Sequence, residues 1–518
     1  MRRRELLAAG SALLAGCRSG QPALQGGWVG ANAARGHRLR ETLPTRQPDI
    51  TRRSQVLIIG GGVSGLACAR GLAAAGIDFA LLELEDETGG NSRGHRMGGM
   101  ACPLGAHYLP LPGPHAHEVS ELLHALGVAR QQLGRTVYDE RMLCHSPQER
   151  LFFEGQWHEG LLPPARSEAT RRQYRQFAAA VQRAMMKLGF AMPTQRAPWT
   201  PAHAALDAQT FAAWLQAQGL DDAQLRWYLD YCCRDDFGAD AAQVSAWAGL
   251  HYFASRHGFH APEDESAERE AVLTWPEGNA WLTRRLAEPL ADALQTGRTV
   301  LRLREGRHEV EVLTFNEAAQ TLERWLAPQA VLATPLFIAA RLIEQPPAAL
   351  QAVQAQLRYA PWLVANLQLA EAPLQRLGAA PAWDNVRYGS SALGYVDAMH
   401  QSLRPYPGPT VLSAYWALPA QQRADLLQGD WAYWTERVLA ELRPLHPELD
   451  RQLLRVDLMR WGHAMSIPVP GLRGSAALAA LRSQPQGRLL FAHSDLAGYS
   501  VFEEAYTAGC QAAAQLKR

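Results

Sequence analysis

The sequence of 518 residues is poor in lysine and has almost no excess of charge of either sign. Only Lys187 and Lys517 are lysines, and 51 basic residues balance 50 acidic residues to a formal net charge of +1. Arginine is dispersed rather than clustered. The sequence therefore predicts no nucleic-acid-binding surface and no preference for an acidic substrate.

Long apolar runs and zinc-type cysteine spacings are missing as well. No apolar stretch reaches the roughly 20 residues that a membrane-spanning helix needs, and no internal repeat occurs. The seven cysteines match no zinc-site spacing, so we predict no metal site. Six of them, all except Cys17, are predicted to be mostly buried thiols rather than a disulfide framework.

The first 17 residues resemble an export signal with a lipid attachment site. A positively charged head precedes an apolar core that is too short to span a bilayer. Leu14-Ala15-Gly16-Cys17 resembles a bacterial lipobox, in which Cys17 would be lipidated and become the new N-terminus. The arginine pair before Leu6 resembles a twin-arginine signal, which serves substrates that fold before export. We expect an exported lipoprotein on the periplasmic side of a membrane; the alternative is an uncleaved N-terminal helix.

A glycine-rich loop follows the first buried strand of the chain. The apolar run Gln55–Ile59 leads into glycines spaced G-x-G-x-x-G, then into a helical pattern, and a second apolar strand ends at Glu83. Glycines at this spacing permit a tight turn, close backbone approach to a pyrophosphate and close helix–strand packing. The helix start favours phosphate, and a carboxylate roughly 20 residues on can accept hydrogen bonds from a ribose. Although the bare motif also occurs in ordinary turns, the whole unit predicts dinucleotide binding.

The residues after Glu83 resemble those of the flavin-containing amine oxidase superfamily, which includes phytoene-desaturase-like and protoporphyrinogen-oxidase-like enzymes. A Gly89-Gly90 pair follows the second strand, as in that family, and offers a second backbone approach to phosphate. The family usually continues with Arg where this chain has Asn91, so Arg93 is the candidate replacement cation. The alternative interpretation of this segment is a glycine-rich surface turn. The resemblance implies FAD as the cofactor.

Further blocks resemble the family in the family's order. Leu104–Tyr108 is similar to the segment that passes the flavin ring, and Val300 lies in the strand whose backbone contacts the adenine. The C-terminal strand and loop lead to Asp495, the expected partner of the ribityl chain, and to a helix beginning near Ser500. In the family this helix points its N-terminus at the flavin C2 carbonyl. The predicted cofactor-binding residues are Gly60, Gly62, Val63, Ser64, Gly65, Glu83, Gly89, Gly90, Asn91, Arg93, Gly105, Ala106, Val300, Asp495 and Val501.

The predicted fold class is α/β, α+β overall: a Rossmann-like FAD-binding domain with an interleaved substrate domain of antiparallel sheet and helices. About 500 residues are too many for one hydrophobic core. The predicted divisions are a signal peptide (1–17), a tether (18–50), a discontinuous FAD-binding domain (51–140, 271–335 and 461–518) and a substrate or cap domain (141–270 and 336–460).

The candidate catalytic residues are aromatic and histidine side chains near the predicted flavin motifs: His107, Trp461, His463 and Tyr499. Asp235 and Asp236 lie beside aromatic residues and are predicted either to receive a cationic amine or to act as helix caps or partners of Arg234. Many amine oxidases of the family place a lysine near flavin N5. Neither lysine of this chain lies near a flavin motif, which favours an electron acceptor other than oxygen.

The sequence thus predicts an FAD-dependent oxidoreductase that transfers a hydride from an amine or another C–H substrate to flavin N5. The substrate is a small molecule, and its identity and the electron acceptor are left open. Two alternatives stand beside this function: an NAD(P)-binding dehydrogenase, and a catalytically inactive flavin-fold binding or assembly protein.

Overall fold

The computed structural model describes residues 24–256, 258–261, 271–404, 407–483, 485 and 487–517. The predicted signal peptide and Cys17 lie outside the described residues. Within the described part of the chain, no helix is long and apolar enough to cross a membrane.

Twenty-three strands occur in the described residues, in the following chain order: β1 Gln25–Trp28, β2 Ile50–Arg53, β3 Val56–Ile59, β4 Phe79–Leu82, β5 Gly94–Met97, β6 Met100–Pro103, β7 Tyr108–Pro110, β8 Ala129–Gln132, β9 Arg135–Tyr138, β10 Glu149–Phe153, β11 Gln156–Glu159, β12 Val272–Thr274, β13 Leu294–Gln295, β14 Arg298–Glu305, β15 Val310–Asn316, β16 Thr321–Ala327, β17 Gln329–Leu332, β18 Tyr359–Leu369, β19 Asp384–Arg387, β20 Tyr395–Asp397, β21 Thr410–Ala417, β22 Leu453–Ser466 and β23 Leu489–Phe491.

The α-helices of the same residues are α1 Ala33–His37, α2 Val63–Ala74, α3 His117–Ala125, α4 Glu168–Lys187, α5 Pro201–Asp207, α6 Phe211–Ala217, α7 Ala223–Phe237, α8 Ala246–Ala254, α9 Ala280–Ala287, α10 Leu336–Leu342, α11 Ala348–Gln356, α12 Arg423–Gln428, α13 Trp431–Leu442, α14 Leu449–Gln452, α15 Ala476–Ser483 and α16 Phe502–Leu516.

A five-stranded parallel sheet forms the Rossmann-like part, in the order β13-β4-β3-β17-β23. All four residues of β3 are apolar and buried, as expected for a parallel strand that is covered on both faces. Helix α2 packs against α16 so closely that a Cβ at Gly509 would lie 2.1 Å from the Ser64 carbonyl oxygen. Both helices therefore begin at the same edge of the sheet, next to the glycine loop.

The second large unit is an eight-stranded, mostly antiparallel sheet in the order β1-β22-β18-β21-β20-β19-β10-β11. One of its hydrophobic clusters joins residues of β18 and β21 to helices α4, α6, α7 and α8. A four-stranded sheet, β14-β15-β16-β2, lies beside the parallel sheet. The predicted fold class, a Rossmann-like domain interleaved with an antiparallel sheet and helices, is confirmed.

Two predicted divisions differ from the structure. The tether predicted over residues 18–50 is folded where it is described, because β1 pairs in parallel with β22 and α1 follows it. Residues 18–23 of that segment lie outside the described residues. The predicted boundary between Arg460 and Trp461 falls inside β22, whose ladder with β18 continues across it.

The six described cysteines form no disulfide with one another. Cys68, Cys102, Cys232 and Cys233 are buried, and the other two are half-buried. Burial raises the pKa of the Cys68 thiol to about 12, so this group is neutral at physiological pH.

Candidate active site

Two adjoining cavities face the eight-stranded sheet, one towards the parallel sheet and the other towards helices α7 and α8. The glycine-loop cavity, of about 450 Å³, is lined by residues 60–64 and by Glu83, Val300 and Asp495. The aromatic cavity, of about 690 Å³, is lined by aromatic side chains of α7, α8 and β21 and by neighbouring residues. Five residues line both cavities, and we call their position the junction: His107, Tyr108, Pro110, Asp235 and Arg256.

The glycine loop takes a conformation that only glycines allow. Gly60 has a φ of +104°, and a Cβ there would lie 2.8 Å from the Ala333 carbonyl oxygen. A Cβ at Gly65 would lie 1.9 Å from the Gly60 carbonyl oxygen, so Gly65 closes the turn and does not itself line the cavity. Gly62, Val63 and Ser64 do line it. The start of α2 thus lies open to the cavity at its N-terminal, positive end.

Glu83 lies at the end of β4 and lines the same cavity. Its Oε2 accepts a hydrogen bond from the Gly61 N–H at 2.6 Å, and its Oε1 accepts one from the Glu85 N–H at 2.9 Å. Burial raises the pKa of this carboxyl, although both backbone hydrogen bonds oppose the rise. The two bonds fix the carboxylate beside the loop, and its oxygens have further lone pairs to accept ribose hydroxyls.

The Gly-Gly segment approaches the glycine loop from the other side. A Cβ at Gly90 would lie 3.1 Å from the Gly62 Cα. Gly89, Gly90 and Asn91 line the glycine-loop cavity, and the Asn91 amide donates to the Ala464 carbonyl oxygen at 2.6 Å. The segment is therefore a wall of the cavity rather than an isolated surface turn.

Arg93 does not take the place predicted for it. Its side chain is buried, lies 3.7 Å from the Glu85 carboxylate and stands over the Trp461 ring at 5.6 Å. It is absent from the cavity lining, where Arg298 is found instead. The Arg93 guanidinium is held instead by its cation–π contact with Trp461 and by the nearby Glu85 carboxylate.

Gly105, Ala106 and Val300 also line the glycine-loop cavity, as predicted. The Ala106 N–H donates to the Asn91 carbonyl oxygen at 2.9 Å, which ties this segment to the Gly-Gly wall. Val501 lines the cavity where α16 begins. The N-terminal end of this 15-residue helix faces the same space as the end of α2.

The hydrogen bonds of Asp495 indicate whether a cofactor fits the glycine-loop cavity. It is fully buried, and its Oδ2 accepts hydrogen bonds from the Tyr359 hydroxyl at 2.5 Å and the Leu336 N–H at 2.9 Å. Burial alone would raise the pKa of Asp495, but His493 and these hydrogen bonds outweigh it and hold the pKa below its usual value.

The other oxygen of Asp495, Oδ1, has no hydrogen-bond partner among the described residues. His493 Nδ1 lies 3.3 Å away, but its hydrogen bond is with the Asp495 backbone N–H, at 3.1 Å. A buried carboxylate oxygen without a donor is costly, and a hydroxyl from a bound molecule would satisfy it. Together with the glycine loop and Glu83, this oxygen fits FAD, whose ribityl hydroxyls are donors.

His107, Trp461 and His463 are brought to the cavities, whereas Tyr499 is not. His107 lies at the junction and stacks on Tyr415, with a centroid distance of 4.3 Å. Trp461 donates from Nε1 to the Leu104 carbonyl oxygen at 2.8 Å, and His463 packs against Phe337. Burial lowers the pKa of both histidines to about 4, so both rings are neutral at physiological pH.

Tyr499 belongs to the hydrophobic core rather than to a cavity wall. It is fully buried between Phe237 and His251, and its hydroxyl donates to Glu504 at 3.5 Å. Its position next to the start of α16 suggested a cavity role, but Ser500 and Val501 occupy the lining instead.

Asp235 and Asp236, adjacent in the last turn of α7, have different surroundings. Carboxylates at a helix C-terminus are unfavourable beside the negative end of the dipole. Asp236 is compensated by an ion pair with Arg256 at 3.0 Å, and both side chains are buried. Asp235 faces the junction of the cavities and accepts a hydrogen bond from the Tyr108 hydroxyl at 3.4 Å. Arg234 pairs with Asp230.

Burial raises the pKa of Asp235 to about 7, and the neighbouring Asp236 adds to the rise. Asp384, at the start of β19, lines the aromatic cavity, and burial with the nearby Asp235 raises its pKa strongly. No local pattern distinguishes Asp384, because a single acid at the start of a strand is common. Five aromatic side chains also line the aromatic cavity: Tyr228, Tyr231, Tyr252, Trp383 and Tyr415.

No group of histidine, cysteine and acidic side chains in the described part of the chain has the arrangement of a metal site.

Comparison with known proteins identifies the architecture. A sequence model of the family described as flavin containing amine oxidoreductase matches residues 63–517. The chain is 24% identical to an L-amino acid dehydrogenase of Synechocystis sp. over 292 residues, which are 56% of this chain and 58% of that protein. The matched regions span about half the length of the curated relatives.

Solved structures match over nearly the whole fold. A putrescine oxidase covers 90% of this chain and 99% of its own, with a TM-score of 0.69 and 19% identity. Cyclohexylamine oxidase from Brevibacterium oxydans covers 90% of this chain and 98% of its own, with a TM-score of 0.65 and 18% identity. At such identities these structures show a shared fold.

The predicted family resemblance and the predicted cofactor, FAD rather than NAD(P), are both confirmed, since the family match extends over most of the chain. With its glycine-loop cradle and its Asp495 carboxylate in place, the chain belongs to the flavin-containing amine oxidoreductase family, whose members are FAD-dependent oxidoreductases.

Proposed function

We propose that this chain oxidises a small-molecule amine, which enters the aromatic cavity as an ammonium ion and reacts at the junction of the two cavities. The observation that carries the proposal is the position of Asp235, a carboxyl that lines both cavities. An ammonium ion in the aromatic cavity would have this carboxylate on one side and π faces such as Tyr252 and Tyr415 around it.

In the proposed reaction, Asp235 also accepts a proton from the substrate. Removal of a hydride from the carbon next to nitrogen requires the neutral amine, so an N–H bond of the ammonium ion must break first. The proton passes to the Asp235 carboxylate, forming an O–H bond. Its pKa of about 7 matches that task, whereas His107 and His463, with pKa values of about 4, are weaker bases.

FAD, when bound, supplies the acceptor for the hydride and its electron pair. The residues that would hold it are the glycine loop, Glu83, the Gly-Gly wall, Val300 and Asp495. Trp461 and the stacked pair His107–Tyr415 limit the water that reaches the junction. After the hydride leaves, the substrate is an iminium ion, which water hydrolyses to a carbonyl compound and an ammonium ion.

The proposal is tested with the purified holoprotein and a panel of primary amines under anaerobic conditions. We expect at least one amine to bleach the visible flavin absorbance, with one carbonyl product formed per flavin reduced. A matched panel of alcohols of the same carbon skeletons serves as the control and should leave the spectrum unchanged, because an alcohol carries no cation for Asp235.

We further propose that the electrons leave to an acceptor other than oxygen. Lys187 ends α4 and Lys517 follows α16, and neither is among the residues that line the two cavities. One relative of this chain is called a dehydrogenase. Reoxidation of the bleached protein should be at least tenfold faster with an artificial quinone or dye than with air-saturated buffer; equal rates would contradict this.

We also propose that the chain is exported and anchored by a lipid at Cys17. The support is the lipobox-like segment Leu14–Cys17 behind an arginine-rich head. In bacterial cells, the intact protein should incorporate labelled fatty acid and sediment with membranes. Cys17→Ala should abolish both, whereas Cys68→Ala, at a buried thiol of α2, should change neither. Recovery of the mature protein with Met1 intact would contradict the proposal.

A further inference from the structure

The segment that precedes the family match contributes to the glycine-loop cavity. We call residues 24–40 the strap; it comprises β1, α1 and the 3-10 turn Arg38–Arg40. The family match begins at residue 63, so the strap lies outside the matched region. Gly36 and Leu39 of the strap line the cavity.

One side of the strap is bonded to the loop that follows Glu83. The Asn32 N–H donates to the Glu85 carboxylate at 2.9 Å. Arg35 Nη1 donates to the Leu84 carbonyl oxygen at 3.1 Å and lies 2.8 Å from the Asp86 carboxylate. Only 14% of the Arg35 side chain is exposed, so this arginine is held between the strap and the loop.

The other side of the strap is bonded across the cavity. Arg38 pairs with Glu317 at 3.1 Å, and Glu317 also accepts a hydrogen bond from Thr299, next to the lining residue Val300. The Leu39 carbonyl oxygen accepts from Arg341 of α10 at 2.9 Å. The strap therefore crosses from the Glu83 loop to β14 and α10, over the part of the cavity that Glu83, Arg298 and Val300 line.

The attachment of β1 is separate from these contacts. β1 pairs with β22, and Trp28 lies under the Arg460 guanidinium at 4.5 Å. Gly30, with a φ of +86°, separates β1 from α1. The helical part of the strap is thus attached to the cavity rim by polar contacts to the Glu83 loop, Glu317 and Arg341, separately from the ladder between β1 and β22.

We propose that the strap is a clasp over the nucleotide end of the FAD site, and that its release controls how fast FAD leaves and enters. The Glu83 end of the cavity is the ribose end, because that carboxylate occupies the ribose-binding position of the dinucleotide fold. Closing the strap over this end buries the bound nucleotide, and a bound nucleotide in turn holds the strap closed.

The test measures FAD release, not turnover, so it is independent of the proposed amine chemistry. FAD loss from the holoprotein into an excess of an FAD-binding scavenger protein is followed by flavin fluorescence. Arg35→Ala removes the charged hydrogen bond to Leu84 and the ion pair to Asp86, and should speed release about tenfold. Arg46→Ala, which breaks an exposed pair with Asp49 in the same N-terminal stretch, should leave release within about twofold of wild type.

A second measurement uses the wild-type chain alone and so does not depend on how the variant folds. Hydrogen exchange of the amides in residues 32–40 should slow when FAD is added to the apoprotein, while exchange in α13 should not change. Faster release in Arg35→Ala with FAD-dependent protection of α1 supports the clasp. Equal exchange with and without FAD, or unchanged release in a folded Arg35→Ala protein, would overturn it.

Discussion

Asp235→Asn is expected to lower kcat/KM for an amine substrate by about a hundredfold or more, with FAD still bound. The Asn side chain keeps the size and the hydrogen-bonding reach of Asp235 but loses the charge that faces the ammonium ion and the site that accepts its proton. Removing one partner of a buried charge pair costs about 2–5 kcal/mol, and each 1.36 kcal/mol is tenfold in rate.

The matched control is Asp230→Asn, the same change one and a half turns earlier on α7. Asp230 pairs with Arg234 at 3.1 Å and lines neither cavity, so amine oxidation should stay within about twofold of wild type. An Asp235→Asn protein that oxidises amines at the wild-type rate would remove Asp235 from the mechanism.

The pH dependence adds an independent readout for the same residue. Only the ionised carboxylate can pair with an ammonium ion and take its proton. Since the pKa of Asp235 is raised to about 7, kcat/KM should fall as the pH drops below that value, tending to tenfold per pH unit. This acidic limb should disappear in Asp235→Asn. A limb that persists in the variant would assign the titration to another group.

Gly65→Ala is the second change for which we expect a large effect, namely loss of FAD binding. A Cβ at this position would lie 1.9 Å from the Gly60 carbonyl oxygen, and both partners are backbone. Neither can move without reshaping the turn between β3 and α2, and that turn is the phosphate cradle. The purified variant should be colourless and should not bind added FAD at micromolar concentration.

Gly113→Ala is the control, because a Cβ at Gly113 meets nothing within 4 Å. It should bind FAD as the wild type does. Circular dichroism of Gly65→Ala separates a local loss of the cradle from global unfolding. Stoichiometric FAD in a folded Gly65→Ala protein would show that the loop is not the phosphate site.

The FAD cradle could be predicted from the sequence because each of its parts is local. The glycines, the acid at the end of β4 and the Gly-Gly pair are chemical requirements that lie within about 35 residues of one another. Asp495 could be placed by order along the chain and by its strand–loop setting. Its partner Tyr359 could not, because a hydrogen bond across 136 residues leaves no local pattern.

The strap shows where local patterns mislead. Residues 24–40 have scattered glycine and arginine and no sustained periodicity, which is typical of a tether. Their structure comes from distant partners: β22 for β1, the Glu83 loop for Arg35 and Glu317 for Arg38. Because these stabilising contacts are tertiary, no local pattern in residues 24–40 indicates the strand and the helix that form there.

The directions in which individual side chains point could not be predicted from the sequence either. Asp235 and Asp236 are neighbours of the same type, yet one faces the cavity junction and the other pairs with Arg256. Arg93 and Tyr499 lie next to cavity residues in sequence but point into packed surroundings. Adjacent residues on a helix such as α7 point about 100° apart, and tertiary packing determines which of them faces the cavity.

Anaerobic titration of the holoprotein with primary amines shows whether this protein oxidises amines. We expect full bleaching of the flavin by an amine at a stoichiometry of one, release of one carbonyl product, and an unchanged spectrum with the matching alcohol. A protein that binds FAD but is not reduced by any amine in the panel, while its Asp235→Asn variant behaves identically, would contradict it and would favour a flavin-fold protein without amine-oxidising activity.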